Sequence, residues 1–305
     1  MRKRLGFALI LACGLAPWLV LLSEQAGVDT PAILVASLDL PEDAEWMGGF
    51  SGLETSAGGT VFYAVTDRGH IARGTLIRDM EAPRDITFSY VQRLVDKNGV
   101  ARDFPHNDAE GVALDAEGRL FVSFEHAHRV LAYDTWDASA RWPSYTRSWR
   151  ALAKNEGLEA VAISDDGTLY TLPERVNSGA SEALVYVKPP NRRWQQSITL
   201  PVEQDYKPVG ADFGPDGRFY LLERQFHLLG FRSRVRAMSF DNGIAVDVET
   251  LLHTAWGDHG NLEGLSVWQD GNGGLRLTMV SDDNFLFFMR GQIVEYVIPG
   301  RVALP

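Results

Sequence analysis

Cysteine is almost absent from this sequence, because the only one among 305 residues is Cys13, inside an apolar amino-terminal run. The rest of the chain therefore has neither a disulfide framework nor a thiolate metal site. Its stability has to come from the packing of side chains.

Basic residues are outnumbered, with 29 Lys and Arg against 40 Asp and Glu and a net charge of -11. This balance argues against a nucleic-acid groove or an anionic membrane surface as the target, because both attract clustered Lys and Arg. The chain also lacks a phosphate-binding loop and a dinucleotide-binding fingerprint. Gly49-Phe50-Ser51-Gly52 lacks the second glycine of a hydrolase nucleophile elbow. These absences favour a small-molecule ligand or a cation.

The amino terminus has the order of an export signal: basic Met1–Arg4, an apolar run over 5–22, then polar residues. Two interpretations of residues 1–26 stay open, since the run is close to the roughly 20 residues that span a bilayer. A cleaved signal peptide predicts a periplasmic or secreted protein. An uncleaved anchor, the one membrane contact we expect, predicts a protein held in the inner membrane and facing the periplasm. Cys13 is interpreted as a residue of the signal core.

Residues 30–300 contain a repeat of roughly fifty residues, the period of propeller blades. Each copy has a short strand, a glycine turn and a second strand rich in β-branched and aromatic residues. Two further strand-like runs follow each copy, and four strands make one blade. The sequence therefore predicts a single all-β domain, a β-propeller of about five blades, with six as the alternative. A β-sandwich is less favoured, because its strands have no reason to repeat at blade length. The copies are aligned on Gly59, Gly118, Gly167, Gly217 and Gly274.

The last repeat supplies only three strands, the third over 292–298. Residues 32–40, before the first repeat, alternate suitably for a strand that fills the empty place. We therefore predict that the amino- and carboxyl-terminal strands pair in one blade, which hides edges that an open sheet would expose.

Three glutamates stand where the first strand of a repeat begins: Glu110, Glu159 and Glu263. Ser51 and Val209 take this position in the other two copies. Because equivalent repeat positions lie around one axis, the glutamates are predicted to meet at the mouth of a central channel. Oxygen ligands of this kind suit a hard cation, with Ca²⁺ as the first candidate.

A second charged ring is predicted at the far ends of the second strands. There Arg68, Arg175 and Arg224 are candidates to clamp an anionic substrate group through paired hydrogen bonds. The alternative is that these charges form ion pairs that hold the blades in register. The ring consists of Asp67-Arg68, Glu125, Glu174-Arg175, Glu223-Arg224 and Asp282-Asp283.

Two histidines lie in loops just before a ring glutamate: His106 precedes Glu110, and His259 precedes Glu263. Together with Glu159 they are the candidate catalytic residues, since a histidine at this place can act as a general base or a ligand. For the histidines after the second strands, His70, His126, His128 and His227, a structural role is expected.

Six short motifs follow one another between about Gly48 and Ile298: Phe50-Ser51-Gly52-Leu53, Asp67-Arg68-Gly69, Asp108-Ala109-Glu110-Gly111-Val112, Gly157-Leu158-Glu159-Ala160, Leu222-Glu223-Arg224 and Asn261-Leu262-Glu263-Gly264-Leu265. Their order resembles the exported bacterial family called esterase-like activity of phytase. The resemblance implies a propeller-like fold, export and hydrolysis of esters or phosphate esters. It assigns no catalytic residue to a position in this chain.

Three functions remain open at this stage. The first is a cation-assisted hydrolase that acts on a small ester or phosphate ester at the mouth of the channel, and for it we expect a monomer with an anionic or ester substrate. The second is a lactonase-like enzyme, because sugar lactonases also use a propeller with glutamate, asparagine and aspartate around one divalent ion. The third is a non-catalytic propeller that binds a ligand or another protein, since fold alone does not fix activity.

Overall fold

The computed structural model describes residues 30–41, 44, 46–141, 144–174, 182–203, 205–286 and 289–300. In these ranges the only helical segment is a 3-10 turn, Arg147–Ala151. They contain no helix long and apolar enough to cross a membrane. The amino-terminal segment with Cys13, and the candidate residue Arg175, lie outside the described ranges.

The described strands form five antiparallel blades, as the repeat predicts. The fold begins with β1 (Ile33–Asp39), whose partner comes last in the chain. Blade 1 contains β2 (Phe50–Thr55), β3 (Val61–Thr66), β4 (His70–Asp79) and β5 (Ala82–Arg93). Blade 2 contains β6 (Ala109–Leu114), β7 (Leu120–Phe124) and β8 (Arg129–Tyr133), with a bridge from Val130 to Ser144 in place of a fourth strand.

Blades 3 and 4 have four strands each. Blade 3 contains β9 (Leu158–Ile163), β10 (Leu169–Pro173), β11 (Glu182–Lys188) and β12 (Gln195–Pro201). Blade 4 contains β13 (Lys207–Phe213), β14 (Phe219–His227), β15 (Gly230–Asp241) and β16 (Ile244–His253). One parallel bridge, between Thr199 and Ile244, joins the two blades into an eight-stranded sheet.

Blade 5 closes the propeller, and the predicted pairing of the two chain ends is confirmed. It contains β17 (Asn261–Gln269), β18 (Leu275–Asp282) and β19 (Gln292–Ile298). Strand β1 pairs antiparallel with β19, from Ile33 opposite Val297 to Asp39 opposite Gln292. The edge of β19 is therefore covered by the other end of the chain.

The inner hairpin turns have the predicted glycines with one shift. Gly59, Gly118, Gly167 and Gly217 have positive φ, and so has Gly273 in blade 5. The glycine of blade 5 that is equivalent to the others is therefore Gly273 and not Gly274. A left-handed backbone at this position favours glycine, because other residues carry a Cβ that clashes there.

Five apolar clusters lie one in each interface between neighbouring blades. The inner strands β2, β6, β9, β13 and β17 contact one another in sequence and close a ring. Small residues let them approach closely: a Cβ added to Gly111 would lie 2.6 Å from the carbonyl oxygen of Glu159. The space left at the axis is about 10 Å³. The predicted central channel is therefore filled, and a site must lie in a depression on one face.

Candidate functional site

The first strand of every blade carries a β-bulge at the same repeat position. In blade 1, Phe50 pairs with Thr66 and Gly52 pairs with Val65, so Ser51 is an extra residue. The register shifts at the equivalent point in the other four blades. A bulge bends its strand and re-aims the extra side chain. The bulge ring consists of Ser51, Glu110 (with Gly111), Glu159, Val209 and Glu263.

The three glutamates of the bulge ring are close enough for their charges to interact. Burial raises the pKa of Glu110 well above its usual value, and the carboxylates of Glu159, Asp108 and Glu263 raise it further. Burial raises the pKa of Glu263 to about 8, although the charge of Arg224 opposes this. Burial also raises the pKa of Glu159, and the negative charges of Glu174 and Glu125 raise it further. Residues from three blades thus form one acidic site.

A second circle of charges surrounds this ring. Each member lies on the second strand of its blade, directly after the residue that pairs with the position before the bulge; in blade 1, Asp67 follows Thr66, the partner of Phe50. The pairing register fixes its members. The outer circle consists of Asp67, Glu125, Glu174, Arg224 and Asp282. Four of the five carry a carboxyl group and the fifth carries a guanidinium group.

Glu223 is therefore not a member of the second ring, contrary to the sequence interpretation. It pairs with Pro208 and directly precedes Arg224, so its side chain lies on the opposite face of β14. Its fully buried carboxylate accepts hydrogen bonds from Arg234 Nε at 2.8 Å and Arg236 Nε at 2.7 Å. Glu223 therefore forms ion pairs, as the alternative interpretation of the charged ring predicts, and these ion pairs join β14 to β15 within blade 4.

Arg224 links the outer circle to the bulge ring. Its Nη1 donates to Glu263 Oε1 at 2.5 Å and its Nη2 donates to Glu174 Oε1 at 3.0 Å. Asn261 lies beside this pair and donates from Nδ2 to the same Glu263 oxygen at 2.8 Å. Lys207 Nζ contacts Glu174 Oε2 at 3.3 Å. Two cations thus stand at the edge of the acidic site, on blade 4.

A compact group of possible ligands lies on blade 2. Atoms of Asp108, Glu125 and His126 all lie within 4.8 Å of one another. His126 Nδ1 is 2.7 Å from Asp108 Oδ2 and 3.3 Å from Glu125 Oε2. Sequence reasoning missed His126 as a site residue. The signal available was its position directly after Glu125, where the second strand reaches the acidic ring.

The two histidines chosen from the sequence lie elsewhere. His259 Nε2 is 2.6 Å from the hydroxyl of Tyr296 on β19, whose ring packs in the core between blades 4 and 5. Burial lowers the pKa of His259, and the charge that opposes this comes from Asp258. His106 is exposed, and its backbone carbonyl accepts a hydrogen bond from Arg129. The described contacts bring neither ring to the three glutamates, so a catalytic role for them stays a prediction.

Asp67 and Arg68 form the blade 1 side of the site. Burial raises the pKa of Asp67 to about 7, and the carboxylates of Asp282 and Asp108 add to this effect. Asp67 Oδ1 is buried without a hydrogen-bond partner in the described structure. The exposed Arg68 places its guanidinium 3.5 Å from the centre of the Phe285 ring. The outer circle therefore contains a buried carboxylate oxygen that accepts no hydrogen bond from the described residues.

The donor set fits a divalent cation. Carboxylates that raise one another's pKa are stabilised by a positive charge between them. Carboxylate oxygens suit Ca²⁺ and Mg²⁺, whereas the imidazole of His126 also suits Mn²⁺ or Zn²⁺. Binding of a cation by Glu110, Glu159 and Glu263 stays a prediction. Among the described residues, the ligand atoms that come within 4.8 Å of one another are those of Asp108, Glu125 and His126.

An open cleft of about 630 Å³ leads outward from Arg224. Glu174 and Lys207 line its inner end, next to the acidic site, and Phe226 and Phe231 line its wall. Both cations of blade 4, Lys207 and Arg224, line this cleft.

A family model and solved structures relate this chain to known proteins. The family model Phytase-like, described as esterase-like activity of phytase, matches residues 45–285. No curated protein sequence matches the chain.

Solved structures are similar to this chain to different degrees. One is a protein from Parabacteroides distasonis ATCC 8503 with the provisional description of a glycoside hydrolase, with 10% identity and a TM-score of 0.54 over 92% of this chain and 100% of that chain. Another is the PQQ-bound aldose sugar dehydrogenase from Streptomyces coelicolor, with 12% identity and a TM-score of 0.48 over 90% of this chain and 98% of that chain. The similarity to the first of these structures concerns the fold alone, since only 10% of its residues are identical to those of this chain.

Proposed function

This chain belongs to the Phytase-like family, described as esterase-like activity of phytase, and on that premise we propose that it is an exported hydrolase of a small ester or phosphate ester. The observation that carries this proposal is the convergence of Glu110, Glu159 and Glu263, each on a β-bulge, with Arg224 at their edge. We propose the acidic site as the place of reaction.

The chain's own groups can perform the two tasks of such a hydrolysis. Glu159, whose pKa is raised by burial, is suited to accept the proton of an attacking water. Arg224 is suited to donate hydrogen bonds to the ester or phosphate oxygen that gains negative charge. The water oxygen bonds to the carbonyl carbon or phosphorus, the bond from that atom to the oxygen of the leaving alcohol breaks, and the alcohol takes the proton that Glu159 accepted from the water.

A divalent cation, with Ca²⁺ as the first candidate, is part of the proposal. Asp108, Glu125 and His126 or the three bulge glutamates would hold it. When bound, it would supply polarisation of the substrate oxygen and a lower pKa of the attacking water.

Lactone hydrolysis is the second candidate. It is favoured by Asn261, which contacts Glu263 and pairs across the sheet with Asp282, so that glutamate, asparagine and aspartate lie together.

Glu159→Gln tests the proposal. We expect it to lower kcat on p-nitrophenyl acetate or p-nitrophenyl phosphate by about a hundredfold or more, because the proton acceptor is lost. A chelator should abolish the same activity. Glu117→Gln is the matched control, since this exposed glutamate lies in a turn of blade 2, paired with Arg119.

Ring-opening of lactones without release of nitrophenol would favour the second candidate. Absence of turnover on all three substrates would leave a binding protein and refute the hydrolase.

We also propose that the protein is monomeric and works in the periplasm or outside the cell. The amino-terminal residue of protein recovered from cells distinguishes a cleaved signal from an uncleaved anchor.

A further inference from the structure

The hairpin of β14 and β15 extends beyond the acidic site. Arg224 lies at the level of the site and pairs with Ser233. Three more residue pairs follow, ending with His227 opposite Gly230. The hairpin therefore stands as a wall at one side of the cleft.

The face of this hairpin that carries Arg224 also carries two phenylalanines. Phe226 pairs with Phe231, two residues beyond the pair of Arg224 and Ser233, and alternate residues of a strand share a face. The rings of Phe226 and Phe231 lie 4.9 Å apart, and the Arg224 guanidinium lies 5.8 Å from the centre of the Phe231 ring. Phe226 is 71% exposed although it lines the cleft.

The opposite face of the hairpin is braced. Arg232 stacks 4.4 Å from the centre of the Trp256 ring and donates from Nε to Gln225 Oε1 at 2.8 Å. The His227 ring lies 5.4 Å from the Trp256 ring. Gly257 donates its backbone N–H to the Phe231 carbonyl at 2.8 Å. The hairpin that carries the aromatic pair is thus braced before a ligand arrives, which lowers the entropy cost of binding.

We propose that Phe226 and Phe231 form a subsite for the aromatic group of an aryl ester or aryl phosphate, whose reacting group lies at Arg224. This inference rests on the proposed hydrolase function and names its substrate class. Charges along the cleft balance, with Lys207 and Arg224 against Glu174 and Asp205. A neutral flat group therefore suits the cleft wall better than a second charged group does. Because Phe231 lies beside Arg224, a substrate whose aryl ring stacks on Phe231 would have its reacting group next to Arg224.

Binding of phenylphosphonate and methylphosphonate, titrated calorimetrically with Ca²⁺ present, tests the subsite without turnover. We expect the protein to bind phenylphosphonate about two- to tenfold more tightly, the range of an aromatic pair. Phe226→Ala should remove this preference, and its exposure means that folding does not depend on it. Leu228→Ala is the matched control: this apolar residue is 94% exposed at the tip of the same hairpin and does not line the cleft.

Turnover gives a second readout. Phe226→Ala should raise KM for phenyl acetate several-fold with little change in kcat, and it should leave KM for ethyl acetate unchanged. Equal binding of the two phosphonates, binding of neither, or an unchanged preference in Phe226→Ala overturns the subsite. A phenyl preference that depends on Phe226, without turnover of any ester, keeps the subsite and refutes the hydrolase, so the two failures are distinguishable.

Discussion

Glu223 and Arg224 are adjacent residues with separate roles. The carboxylate of Glu223 is buried between Arg234 and Arg236, whereas Arg224 extends to Glu263 and Glu174 in the acidic site. Because alternate residues of β14 face opposite sides, one residue stabilises the blade and the next contributes to the site.

Glu223→Gln should therefore affect stability. We expect a loss of about 3–5 kcal/mol in the free energy of unfolding, because the buried guanidinium group of Arg236 loses its charged partner and that of Arg234 keeps only Glu203. Guanidinium denaturation measures it. Glu249→Gln is the control: it removes the partner of Arg218 at a side chain 40% exposed and should cost less than about 1 kcal/mol. Equal effects of the two substitutions would contradict the structural role of Glu223.

The raised carboxyl pKa values predict an unusual dependence of stability on pH. Burial raises the pKa of Glu263 to about 8 and that of Asp67 to about 7, so the folded state holds protons that the unfolded chain releases near pH 4 to 5. This stabilisation is complete below the unfolded pKa and is lost as pH rises through the folded pKa. In the presence of chelator, the free energy of unfolding should fall between about pH 5 and pH 8.

Denaturation at several pH values measures this slope, and Glu263→Gln should make it shallower. If the free energy of unfolding rises over the same pH range in the presence of chelator, the pKa values of these carboxyl groups are not raised in the folded protein.

At the scale of elements, the inner strands set the geometry of the site. Each has a small residue just after its bulge, and Gly264 is so close to blade 1 that a Cβ would lie 2.5 Å from the backbone nitrogen of Leu53. The strands therefore meet at the axis and bring their bulges to one face. The bulge residues of different blades become neighbours for this reason.

Pairing of β1 with β19 can be tested with a disulfide, since the rest of the domain has no cysteine. Ser37 lies opposite Val294, and antiparallel partners are about 4.5 to 5.5 Å apart at Cα, within disulfide range. Ser37→Cys combined with Val294→Cys should raise the free energy of unfolding by about 4 kcal/mol when oxidised, because it closes a long loop. The reduced protein and Ser37→Cys alone are the controls. Failure to form the bond under oxidising conditions would contradict the closure.

At the scale of the whole molecule, the acidic site coincides with a chain of net charge -11. The unfavourable energy of the clustered carboxylates opposes folding unless protons, Arg224 or a cation compensate it. Stability and ligand binding are therefore coupled through one region.

Added Ca²⁺ or Mn²⁺ should raise the melting temperature at pH 8. At a cation concentration one hundred times Kd, we expect about 2.7 kcal/mol of stabilisation. Glu110→Gln and His126→Ala should each reduce this effect, while Glu117→Gln should not. A stronger effect of Mn²⁺ than of Ca²⁺ that is lost in His126→Ala would assign the ion to the group on blade 2. Scanning calorimetry at matched ionic strength measures the shift, and no shift with either ion would refute the cation site.

The sequence by itself determined the blades and their closure. The glycine turns, such as those at Gly118 and Gly167, depend only on residues that are close together in the sequence, and so does the alternation of apolar residues. The strands and the number of repeats could therefore be predicted from local sequence. The alternation over 32–40 likewise identified the strand that pairs with β19. Repeat symmetry was enough to bring Glu110, Glu159 and Glu263 together.

Only the tertiary structure decided which charges face the site. A bulge shifts pairing by one residue, and a shift of one residue exchanges the two faces of a strand, so Arg224 and not Glu223 joins the outer circle. Likewise, His126 contacts two acids while His259 contacts Tyr296, because side-chain direction depends on packing between blades. The spacing of residues in the sequence determines which strand a residue belongs to, whereas the tertiary structure determines which groups its side chain contacts.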